Sequence, residues 1–126
     1  FQCILPNKSS KQGYKKILST IRNKSSGAFL AVLKNLGSGN GYLSFPRDGL
    51  TLALDFKVTK KNISVGQELL DIVNDFDGNV YLAKDSIMKA TQFNQIFKKD
   101  EFLKFRHPLL NSEQSKRLNL WIIQFW

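Results

Sequence analysis

The order of patterns along this chain predicts an α+β fold of the ferredoxin-like type, β-α-β-β-α-β, with an antiparallel sheet and both helices on one face. Three observations predict it. Two segments repeat apolar side chains at the spacing of an amphipathic helix, and short strand-like segments flank them in the required order. The length of 126 residues with 42% hydrophobic content is enough for one core and short for two, so residues 1–126 read as a single domain.

The first strand is the run Phe1, Gln2, Cys3, Ile4, Leu5. Pro6 and the Ser9-Ser10 pair lead into a helix whose apolar positions Tyr14, Ile17, Leu18 and Ile21 form one stripe, ended at Ser25-Ser26-Gly27. Residues 28–34 read as a second, largely buried strand, and the glycine-rich stretch 36–41 as a flexible loop, with a turn at Pro46 and Asp48-Gly49. A third strand alternates Leu50, Leu52, Leu54 and Phe56 on one face with Thr51, Ala53 and Asp55 on the other. Ser64 and Gln67 have capping-box spacing at the start of a second helix with the stripe Val65, Leu69, Ile72, Val73 and Phe76, which Gly78 closes. Residues 79–83 then form the fourth strand. From Ala90 the pattern is helical again, through Phe93, Ile96, Phe97, Phe102, Leu103 and Phe105, and a polar helix covers 112–118, giving a C-terminal helical extension. The apolar end, Trp121 to Trp126, is expected to pack on something.

Composition narrows the chemistry. Nineteen Lys and Arg against ten Asp and Glu give a formal charge of +9, which favours anionic partners in general. The lysines are scattered along helices and connections, as solvated faces are. The single cysteine, Cys3, excludes an internal disulfide and a thiolate metal cluster, and on the face shared with Phe1 and Leu5 it reads as a buried inert thiol in a reducing, cytoplasmic setting. With His107 as the only histidine, neither a zinc site nor a Ser-His-Asp triad is expected, and no metal site is assigned. No apolar run approaches the ~20 residues that a transmembrane helix needs.

Two features point to a polar site. Alternation along the fourth strand puts Val80, Leu82 and Lys84 on one face, so that an ammonium beside apolar neighbours ends the strand, followed by Asp85 and Ser86. Gln2, Lys34, Thr51, Asp55 and Lys84 lie in or at the ends of four different strands, opposite the face the helices cover. A sheet face with amide, ammonium and carboxylate groups suits a polar ligand.

Several blocks occur in the order seen in a known family: Gln2 before the apolar run to Pro6, residues 29–37, residues 43–46, Gly49, Leu54-Asp55-Phe56, Ala83-Lys84-Asp85-Ser86 and the final 115–118. In these the chain resembles the C-terminal, substrate or cap portion of FAD-linked oxidases of the vanillyl-alcohol-oxidase type. The resemblance implies part of an enzyme that oxidises an alcohol carbon of a sugar- or polyol-like substrate by hydride transfer to flavin N5. It implies FAD held mainly by a separate N-terminal domain that this sequence lacks, so that the chain alone is expected to be inactive. Carried over position by position, it makes Lys84 the lysine beside the flavin ring and the catalytic cation, with Gln2 also on the cofactor. It lines the substrate side with Lys34, Thr51 and Asp55, and puts Ala53 where a relative carries a reactive-site cysteine. Arg106-His107-Pro108-Leu109 departs from the family's pattern.

The rival reading from another class is a basic nucleic-acid-binding module on a ferredoxin-like sheet. Strand three offers it Thr51, Ala53 and Asp55 where stacking aromatics are needed, so no nucleic acid is expected. The remaining alternative is an inactive truncated remnant.

Overall fold

The computed structural model describes residues 1–105 and 112–120. Four strands, β1 (Gln2–Pro6), β2 (Leu30–Leu36), β3 (Gly49–Asp55) and β4 (Asn79–Val80), form one antiparallel sheet in the order β2-β3-β1-β4. Helix α1 (Asn7–Lys24) connects β1 to β2, and α2 (Lys60–Asp75) connects β3 to β4. This is the β-α-β-β-α-β unit predicted from the sequence. The extension consists of α3 (Ala90–Ile96), α4 (Asp100–Phe105) and α5 (Glu113–Arg117). The helical pattern after residue 90 is thus split, because Phe97 leaves the helix with extended backbone angles.

Both long helices lie on one face of the sheet, α1 across β1 and β3 and α2 across β1 and β4. Cys3, Leu5, Leu52, Leu54 and Val80 point into this layer and meet Tyr14, Ile17 and Ile21 of α1 and Val65, Leu69, Ile72 and Val73 of α2. Burying a Leu, Ile or Val in this way is worth roughly 1.5–3 kcal/mol each. Leu18, at the margin of the α1 stripe, stays half exposed. The Tyr14 hydroxyl donates to the carbonyl oxygen of Leu50, so the ring is buried without stranding its polar end.

Three expected elements differ. The second strand runs Leu30–Leu36 and is not buried: Leu30 and Leu33 are more than half exposed. It is the edge strand, outside the footprint of both long helices, so among the described residues neither helix covers it. Helix α2 starts at Lys60, not beside Ser64, because the Thr59 side chain accepts the Asn62 N–H at 3.1 Å and caps the first turn. Its end does close at residues 76–78. Asp77 takes the left-handed conformation (φ 55), its N–H donates to the Asn74 carbonyl and that of Gly78 to the Val73 carbonyl, the two bonds of a Schellman ending.

The fourth strand is the third correction. The ladder ends with Tyr81, whose N–H donates to Gln2 O at 2.9 Å. Leu82–Lys84 then close a single 3-10 turn, with Lys84 N bonded to Tyr81 O and Asp85 N to Leu82 O. Lys84 therefore does not continue a strand face with Val80; the turn carries it out of the sheet and leaves it exposed. No helix among the described residues is long and apolar enough to cross a membrane. His107 with its neighbours 106–109, and the Trp-rich stretch 121–126, lie outside the described residues.

Candidate functional site

Register decides which polar side chains share a face. In antiparallel pairs directly opposed residues point the same way. Gln2 opposes Ala53, Ile4 opposes Thr51, Val32 opposes Ala53 and Lys34 opposes Thr51. Gln2, Lys34, Thr51, Ala53 and Asp55 thus share the face turned away from the helices. Gln2 and Thr51 are in direct contact: Gln2 Nε2 donates to Thr51 Oγ1 at 3.4 Å, and that hydroxyl donates to Cys3 O at 2.8 Å. Thr51 is 2% exposed, so its hydroxyl serves first to anchor the Gln2 amide.

Thr51 and Ile4 are buried on this side because the connection between β2 and β3 folds back over it. Asn79 Nδ2 donates to Ser44 O at 3.3 Å, and the rings of Phe45 and Tyr81 meet with centroids 5.0 Å apart. The Arg47 guanidinium fixes the base of the connection to the carbonyl and carboxylate of Asp77. Covered at the β4 side, the face stays open toward β2, where Lys34 is exposed.

Gln2 also borders a second space. A cleft of about 320 Å³ opens at the end of the sheet, bounded by Phe1 and Gln2 of the first strand, Phe56, Lys57 and Val58 before α2, Ile63 on α2, and the turn bearing Lys84 and Asp85. Phe1 continues the ladder, its nitrogen donating to Leu54 O at 2.9 Å and its carbonyl accepting from Leu54 N at 2.8 Å. Asp55 and Lys84 both lie near this end of β1. Asp55 itself is exposed at the end of β3, outside the cleft lining.

The structure therefore brings Gln2 and Lys84 to one cleft, joins Gln2 to Thr51, and leaves Lys34 and Asp55 at the open margins. The Lys84 ammonium makes no ion pair among the described residues. Phe56, Val58 and Ile63 contribute apolar lining to the same cleft.

Asn79, Tyr81 and Asn62 escaped the reading from sequence. Asn79 pairs with Ile4, so Asn79 and Tyr81 project on the same face as Gln2. Strand alternation contains that signal when the odd-numbered positions of 79–83 are followed instead of the even ones. Asn62 lines the cleft while its side chain is committed to structure, donating to Lys57 O at 2.9 Å and accepting from Ser26 N at 3.1 Å. Its position within a lysine-rich connection gives no such signal.

No family model matches the sequence. The chain is 30% identical over 127 residues to decaprenylphosphoryl-beta-D-ribose oxidase of Mycolicibacterium smegmatis. The match covers 95% of this chain and 27% of that protein, and falls in its C-terminal part. The chain is accordingly similar to the C-terminal part of an oxidase, and it spans little more than a quarter of the curated relative's length.

Proposed function

We propose that residues 1–126 form the substrate-side portion of a flavoprotein oxidoreductase that oxidises an alcohol carbon of a sugar- or polyol-like substrate, with FAD held mainly by another domain. The observation that carries the proposal is that Gln2 and Lys84, from opposite ends of the βαββαβ unit, line one cleft in a chain related to an oxidase. A cytoplasmic setting, suited to the free buried thiol of Cys3, belongs to the same proposal.

The residues present fit the ring of a flavin and not the whole cofactor. An ammonium with no ion pair among the described residues, in a cleft with apolar lining, suits a planar ring system that gains negative charge. The glycine stretch 37–41 lacks the lysine and hydroxyl of a phosphate loop and opens no helix, so the cradle for a pyrophosphate belongs elsewhere. When bound, FAD supplies the acceptor for a hydride from the alcohol carbon, at N5.

The chain's own side chains then have distinct tasks. Lys84 holds a fixed positive charge where the ring edge would become negative. Gln2, oriented by Thr51, presents an amide that donates to or accepts from a polar ring or substrate atom. Lys34 stands at the open side of the same face, where it meets hydroxyl or anionic groups of a substrate, and Asp55 orients or neutralises the neighbouring lysines. With Ala53 beside Gln2, the face carries no thiol for covalent capture.

Spectral titration with FAD tests the division of labour. The isolated chain is expected to perturb the flavin spectrum weakly or not at all. The complete polypeptide is expected to bind one equivalent and to lose its oxidised-flavin absorbance anaerobically with a sugar or polyol. Tight stoichiometric binding by the isolated chain, or a complete polypeptide that carries no flavin, defeats the proposal.

A further inference from the structure

Lys84 sits on a segment with little regular structure of its own. Between Tyr81 and Met88 the backbone makes one ladder bond to Gln2 and the two bonds of the 3-10 turn. The remaining order comes from side chains. Asp85 Oδ1 accepts the N–H groups of Ile87 and Met88 at 3.1 and 2.9 Å, folding the chain back on itself. Gln114 Nε2 donates to Leu82 O at 2.7 Å, and the Arg117 guanidinium reaches Met88 O and pairs with Asp85 Oδ2 at 2.8 Å. Both residues come from α5, which does not line the cleft.

We propose that α5 belongs to the site: Gln114 and Arg117 are positioning residues that hold residues 82–88 and so fix the Lys84 ammonium in the cleft. This inference rests on the flavin reading of Lys84 for its catalytic consequence. Two effects act together. The first is mechanical: Gln114 and Arg117 grip carbonyls on either side of Lys84, at Leu82 and Met88. The second is electrostatic. The Asp85 carboxylate, 2% exposed and adjacent to Lys84 in sequence, is neutralised by Arg117. A buried carboxylate without that partner would turn outward for solvation or for the nearest cation, and Lys84 is its sequence neighbour. Arg117 therefore keeps Asp85 from quenching the charge that the site uses. The guanidinium suits this task because its planar fork serves a carboxylate and a carbonyl at once, which a lysine ammonium does less well.

The test uses the complete polypeptide and the variants Arg117→Gln, Arg117→Lys and Gln114→Met, each also made with Lys84→Gln. Hydrogen exchange of the peptide covering 81–88 is expected to quicken about tenfold or more in Arg117→Gln, as loss of a charged hydrogen bond implies, with the β3 amides unchanged. Arg117→Lys is expected to recover part of the protection. Flavin reduction by substrate is expected to slow about tenfold to a hundredfold in Arg117→Gln and less in Gln114→Met, the scale of a misplaced catalytic group. Neither change is expected to slow it further once Lys84 is Gln. Unchanged exchange over 81–88, or an equal slowing with and without Lys84, overturns the positioning role. A Lys84→Gln protein with an unaltered flavin overturns the flavin reading instead, and the exchange rates then decide the clamp by themselves.

Discussion

Cys3 gives the sharpest quantitative handle on the core beneath the site. Its thiol is fully buried on the helix face of β1, and burial pushes its pKa from an ordinary 9.0 up to about 12. At pH 8 a thiol with pKa 9 is about one tenth thiolate, and one with pKa 12 about a ten-thousandth, so native Cys3 should react with a water-soluble disulfide reagent about a thousandfold more slowly than the unfolded chain. The same shift couples to stability. Because the folded pKa is raised, the folded state keeps its proton longer. The contribution is complete below pH 9 and is lost as pH rises toward 12. By pH 11 the loss is about 3 kcal/mol. Burial raises the Tyr14 hydroxyl in the same direction, so it adds to the alkaline loss. Denaturant melts at pH 7, 9 and 11 on the native chain and on Cys3→Ala separate the two: the variant should show a shallower decline. Stoichiometric labelling within the mixing time under native conditions, or an unchanged pH slope in Cys3→Ala, would refute the reasoning.

Two further substitutions test the packing that holds the site. Gly78→Ala would place a methyl 2.5 Å from Leu5 Cδ2, 2.7 Å from Ile4 O and 2.8 Å from Val73 Cγ1, so it should cost about 3 kcal/mol in a denaturant melt, at the upper end of overpacking. Leu33→Lys, on the uncovered edge strand, should change stability by no more than about 0.5 kcal/mol; a loss of several kcal/mol would mean that β2 is covered after all.

Much of this architecture was legible in the chain. The stripes Tyr14-Ile17-Ile21 and Val65-Leu69-Ile72-Val73 carry helical periodicity that no strand could bury, and they mark both helices. Alternation in β3 put Thr51, Ala53 and Asp55 on the face away from the helices, which made the meeting of Gln2 and Thr51 foreseeable. What escaped depends on partners distant in sequence. Residues 28–34 look the same whether a helix covers them or not, and the footprint of α1 and α2 is a property of the whole sheet. Leu82 and Lys84 fit a strand pattern locally, and only Asp85, Gln114 and the end of the β1 ladder show why the chain turns there. Ser64 has capping-box spacing but lies inside α2, and the hydroxyl that reaches a free N–H, on Thr59, set the start.

The central claim, that Lys84 places a positive charge against a flavin ring, is tested most directly by the midpoint potential of the bound flavin in the complete polypeptide before and after Lys84→Gln. Removing the cation should lower the two-electron potential by roughly 30 mV or more, the equivalent of about a tenfold change in equilibrium constant. An unchanged potential in a variant that still binds FAD would contradict the account.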